Sequence, residues 1–89
     1  MTLDEWATVA DSLAPQVSGV YNERPLNAQR FAIQCGILME MPRVKPSTVE
    51  IAYALGSCHS KVQYALKRWS DMPWRDRHGW LMLAEGRAA

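Results

Sequence analysis

The stretch that decides the fold runs from Thr48 to Trp69 and reads TVEIAYALGSCHSKVQYALKRW. Its first half sets Val49, Ile51, Ala52 and Leu55 at helical spacing. Its second half sets Val62, Ala65, Leu66 and Trp69 at the i, i+3, i+4, i+7 positions of one buried stripe. Between them stands Gly56, which accepts the left-handed backbone that ends one helix before another begins. Ala52 is small enough for two helices to cross closely, and the β-branched Val62 wedges between them. The spacing predicts a helix-turn-helix, whose second helix enters the DNA major groove. The same pattern also reads as two helices of an ordinary small bundle.

Working outward toward the N-terminus, Ser47 caps the first of these helices, and Glu50 three positions on completes a capping box. The preceding Met41 to Pro46 (MPRVKP) carries two prolines four apart and reads as a connector. It brings Arg43 and Lys45 beside the motif, either to touch phosphates or as solvated loop charges. Before it, Asn27 reads as the N-cap of a helix from Ala28 to about Met39. Phe31, Ala32, Ile33, Cys35, Ile37 and Leu38 make that helix apolar over a wide arc, as expected at the centre of a core. Gly36 within it costs about 1 kcal/mol against alanine, which suggests the close approach of a neighbouring helix. Asn22 to Pro25 reads as a connector, and Pro15 either ends a first helix or opens a short turn through Tyr21. The first helix itself, Leu3 to about Leu13, opens on a Thr2–Glu5 capping box and turns Leu3, Trp6, Val9, Ala10 and Leu13 inward.

On the other side of the motif, Asp71 reads as the cap of a last helix opening near Pro73 and Trp74 and ending at Gly86. Trp74, His78, Leu81 and Met82 form one apolar side, with Trp80 and Leu83 on a second. The tryptophans could serve as stacking platforms for single-stranded nucleic acid. Balanced local charge and helical spacing favour core or dimer contact instead.

Eighty-nine residues with 48% hydrophobic content allow a single domain with a modest core, not a disordered chain and not a deep catalytic cleft. The expected organisation is an acidic N-terminal helical arm over 1–23, a helix-turn-helix core over 24–70 and a C-terminal helix over 71–89. The fold class is therefore all-α, a small helical bundle containing a helix-turn-helix. The uncharged run Phe31 to Met39 falls well short of the ~20 apolar residues that span a bilayer. No basic, apolar leader opens the sequence, so a cytoplasmic location is expected.

Cys35 and Cys58 form no C-x-x-C pair, and together with His59 and His78 they match no familiar zinc spacing. No phosphate-binding loop, carboxylate cluster or nucleophile elbow is present, and neither a cofactor nor catalysis is expected. Net charge is only +1, but it is unevenly spread. Asp4, Glu5, Asp11 and Glu23 give residues 1–23 a charge of −4. Arg24, Arg30, Arg43, Lys45, Lys61, Lys67 and Arg68 against Glu40 and Glu50 give residues 24–68 a charge of +5. The positive charge gathers around the motif, where phosphate contacts need it.

In the second motif helix the apolar stripe leaves His59, Ser60, Gln63, Tyr64 and Lys67 on the opposite side and its edges, with Lys61 and Arg68 on a flank. Hydroxyl and amide groups in the first turn suit base edges, and the long cations suit phosphates. Free backbone N–H groups near Ser57 to Ser60 also favour a phosphate. The expected DNA-binding set is Arg30, Arg43, Lys45, Ser57, His59, Ser60, Lys61, Gln63, Tyr64, Lys67 and Arg68, and the expected partner is double-stranded DNA. A homodimer is a further expectation, because so small a reader often needs two half-sites. The competing reading is a protein-interaction module, an adaptor or inhibitor that grips a partner through the acidic N-terminal helix and the Trp-rich C-terminal helix.

With these residues in view, the segment 24–69 resembles the C-terminal DNA-binding domain of the bacterial chromosomal replication initiator, DnaA. The likeness rests on QRFAI (Gln29 to Ile33), EIAYALG (Glu50 to Gly56) and CHSKVQYALKRW (Cys58 to Trp69). It implies an all-helical fold, a basic loop before the motif, and His59 and Ser60 as base-contacting residues. Where most members read Asp-His-Thr-Thr-Val, this chain has Cys58, His59, Ser60, Lys61 and Val62. Gln29 stands where the family has an arginine that reaches the minor groove, with Arg30 adjacent. The family's target sequence does not carry over those changes. Sigma-factor-like and other regulator domains share the core spacing.

Overall fold

Thr2 and Ser47 start two helices by the same device. The Thr2 backbone N–H donates to the Glu5 carboxylate at 2.9 Å, and the Glu5 N–H donates back to the Thr2 hydroxyl at 3.2 Å. Ser47 and Glu50 repeat the reciprocal pair at 3.1 and 3.2 Å. Each box satisfies two backbone donors that a helix start leaves without partners.

The computed structural model describes residues 1–13 and 23–89. Five α-helices make up the described chain: α1 (Leu3–Leu13), α2 (Glu23–Glu40), α3 (Thr48–Ala54), α4 (His59–Asp71) and α5 (Trp74–Ala88). Among the described residues there is no strand, and the class is all-α. No helix there is long and apolar enough to cross a membrane. The expected turn from Pro15 to Tyr21 lies outside the described residues.

Helix α2 is the axis of the molecule. From Ala32 to Leu38 every residue is buried, including the polar Gln34, because α1, α3, α4 and α5 all pack around it. Helix α1 contributes Trp6, Ala10 and Leu13, spaced by four and three along one face. Helix α4 contributes Val62, Ala65 and Trp69, with Leu66 half-buried, as its stripe predicts. Helix α5 buries Ala84 and leans the half-buried Trp80, Leu81 and Ala88 on the same core.

Several boundaries differ from the sequence reading, each for a local reason. Helix α2 begins at Glu23, not after Asn27, so the connector expected at Asn22 to Pro25 is largely helix. Pro25 is the third residue of that helix, where the missing N–H has no intrahelical acceptor and costs nothing. Asp71 does not cap α5: it is the last residue of α4, and Pro73 holds the cap position with no side-chain hydrogen bond. Gly86 does not end α5, which continues to Ala88; among the described glycines only Gly56 has the positive φ of a helix terminator. Val49, Trp74, Met82 and Leu83, expected inside, are exposed, as is His78. Seven-residue α3 buries only Ile51 and Ala52, and α5 presents just one side to the core.

Candidate nucleic-acid interface

The turn between α3 and α4 is fixed by backbone chemistry. Gly56 has φ +63°, its N–H donates to Tyr53 O at 3.2 Å, and the Ser57 N–H donates to Ala52 O at 2.8 Å. This paired 5→2 and 6→1 bonding is a Schellman motif, and it needs the left-handed residue that glycine supplies without strain. Cys58 then adopts extended backbone as the N-cap of α4. Four residues, Leu55 to Cys58, thus redirect the chain.

At about 100° per residue, burying Val62, Ala65 and Trp69 turns the rest of α4 outward. His59, Ser60, Lys61, Gln63, Tyr64, Lys67 and Arg68 are all exposed, Tyr64 at 76%. The sequence-predicted residues of this helix therefore come together on one open side. Asp71 in its final position is the only carboxylate that α4 carries. Among the described residues Lys61, Lys67 and Arg68 make no ion pair, so their charge is unscreened at contact distance.

The first turn of α4 has a further property. The Cys58 thiol is held below its ordinary value, chiefly by the Ser60 hydroxyl 3.5 Å away, then by the Lys61 backbone N–H and the Lys61 charge. Sulfur is a weak acceptor, which leaves the amides of this turn largely open to a stronger one. Ser57 does not share in this. Its N–H is committed to Ala52 O and its side chain is half-buried, which corrects the expectation of a free donor there.

The remaining predicted cations are less available. Lys45 donates from Nζ to the Glu40 carbonyl oxygen at 2.7 Å, closing the C-terminal end of α2. Arg30 lies 3.6 Å from the Asp11 carboxylate, facing α1. Arg43 is exposed, with no ion-pair partner among the described residues.

Two features escaped the sequence reading. Ala28 and Phe31 of α2 with Lys61, Tyr64, Ala65 and Arg68 of α4 line an open groove of about 240 Å³ along one edge of the exposed face. Tyr53 on α3 is 89% exposed, off the buried Ile51–Ala52 side. Its offset from that stripe was the available signal, whereas the groove arises from a packing of two helices that no local pattern specifies. Among the described residues no three histidine, cysteine or acidic side chains gather as a metal site would require. No protein-family model, no curated protein and no solved structure matches the chain.

Proposed function

We propose that this chain binds double-stranded DNA, using α3 and α4 as a helix-turn-helix and the outward side of α4 as the reading surface. His59, Ser60, Gln63 and Tyr64 would face base edges in the major groove, and Lys61, Lys67, Arg68 and Arg43 the flanking phosphates. The observation that carries this reading is the α4 face itself: seven exposed polar or cationic residues, three of them cations without an ion pair. The resemblance to the DnaA domain points the same way, toward a small transcriptional regulator or a replication-associated protein in the cytoplasm.

Gel shift of the full chain on random duplex at low and moderate salt tests the reading. Lys67→Ala and Arg68→Ala should each weaken every duplex and lower the salt slope by about 1. Ser60→Ala and Tyr64→Ala should relax sequence preference in a selection from a random duplex library. Unchanged binding in all four variants, with helicity intact, would remove α4 from the interface.

A further inference from the structure

The groove between α2 and α4 opens beside the cations that edge the exposed α4 face, on the side toward α2. Helix α2 lines it with Ala28 and Phe31, and α4 lines it with Tyr64 and Ala65, so each helix contributes one aromatic ring. The lining is mostly apolar, and no carboxylate takes part in it. Lys61 and Arg68, the remaining two lining residues, stand about 10 Å apart along nearly one line of α4 and bracket the opening. Neither makes an ion pair among the described residues.

Size and charge together define what fits. The groove holds about 240 Å³, below the roughly 300 Å³ at which drug-sized sites begin, so it takes a group of about one ring system. A partner helix, which inserts anchors at i, i+3, i+4 and i+7, needs a longer trough. The occupant must offer flat apolar faces to Phe31 and Tyr64 and a negative charge on each side to Lys61 and Arg68. An unpaired base in a DNA strand offers both, because every base within a strand is flanked by two phosphates. A peptide does so only where an aromatic residue falls between acidic ones.

We propose that this groove holds one unpaired base of a single DNA strand, with the phosphates on either side of it lying on Lys61 and Arg68. The site needs no duplex, so its failure would leave the reading of α4 as a helix-turn-helix face intact.

Fluorescence anisotropy of the full chain with two labelled strands of about twelve nucleotides tests it, one of thymidine and one abasic at every position. The strands carry the same phosphates and differ only in their bases. The thymidine strand should bind at least about tenfold tighter, the scale of stacking one base. Added salt should weaken both in parallel, because a base releases no counterion. Ala28→Leu fills the groove from a half-buried position. It should bring the thymidine strand down to the abasic level and leave the gel shift on duplex unchanged. Tyr64→Leu, at a site too exposed to disturb the fold, should remove several-fold of the preference without altering the abasic strand. Equal affinity for the two strands, or no binding to either, overturns the proposal, as does a preference that survives both substitutions. Lost duplex binding in Ala28→Leu also overturns it, since the groove would then belong to the duplex interface. A blocked Asp-Asp-Trp-Asp-Asp peptide that displaces the labelled strand at lower concentration than unlabelled thymidine strand would assign the groove to an acidic protein segment instead.

Discussion

Trp69 packs its indole directly on the backbone of Gly36, so that a Cβ at position 36 would fall 2.6 Å from Cε3 and closer still to Cδ2 and Cε2. The indole is 3% exposed and rigid, and the backbone opposite belongs to the central helix, so neither side yields cheaply. Gly36→Ala should therefore destabilise the protein by about 1–3 kcal/mol, despite the roughly 1 kcal/mol that alanine contributes to an isolated helix. Thermal unfolding would read this as a fall of about 4–8 °C for each kcal/mol. A rise in Tm would mean that α2 and α4 are farther apart in solution.

The same indole is held at its other end. Trp69 Nε1 donates to the Glu40 carboxylate, joining the last residue of α2 to the last turn of α4. Glu40→Ala removes the acceptor and should cost about 1–2 kcal/mol, while Glu40→Gln keeps a neutral acceptor and should cost less. Urea unfolding of the two variants checks the order. Equal losses would show that the carboxylate acts through general charge and not through this bond.

These two contacts show where the sequence was readable and where it was not. Gly36 inside an apolar helix announced a close crossing, because no other role suits a glycine in that setting. Ser47, Glu50 and Gly56 located α3 and its turn, since caps and left-handed turns are local chemistry expressed in single residues. Glu40, by contrast, counted in the sequence only as a surface charge, and Lys45 only as a basic loop residue. Both are engaged by partners brought near through the fold. The outward set of α4 was legible because a 13-residue helix with a clean buried stripe leaves its other side determined. The covered side of helix α5 is not legible in the sequence because its apolar residues circle the helix, and only packing decides which side is covered.

The two cysteines should behave as different chemical species. Cys58 is exposed and its thiol is held below the ordinary value, whereas burial pushes Cys35 up to about 12. Iodoacetamide on the native protein should label Cys58, with Cys35 reacting only after unfolding, as peptide mapping would read. Comparable labelling of both thiols would mean that α2 opens locally.

Burial of Cys35 also sets an alkaline limit. The folded state keeps the proton that the unfolded chain loses near the ordinary value of 9.0. Stability from this group is therefore complete below about pH 9 and declines as pH rises toward about 12. Cys35→Ala should start from a lower plateau, through the lost packing, and then fall less steeply over that window. Parallel slopes in the two proteins would refute the assignment.

Arg43 and Lys45, two residues apart on the connector into α3, should separate by function. Lys45 donates to the Glu40 carbonyl, and its charge lies at the negative end of the α2 dipole. Arg43 is exposed, with no ion pair among the described residues. Lys45→Ala should therefore lower stability by about 0.3–1 kcal/mol, with the loss reduced at high salt. Arg43→Ala should leave stability within about 0.5 kcal/mol and instead reduce the salt slope of duplex binding by about 1. Chemical unfolding and salt titration of the same two variants decide the matter. If Lys45→Ala lowers the slope at full stability, its bond to α2 yields to phosphate on binding, and the connector contributes two phosphate contacts instead of one.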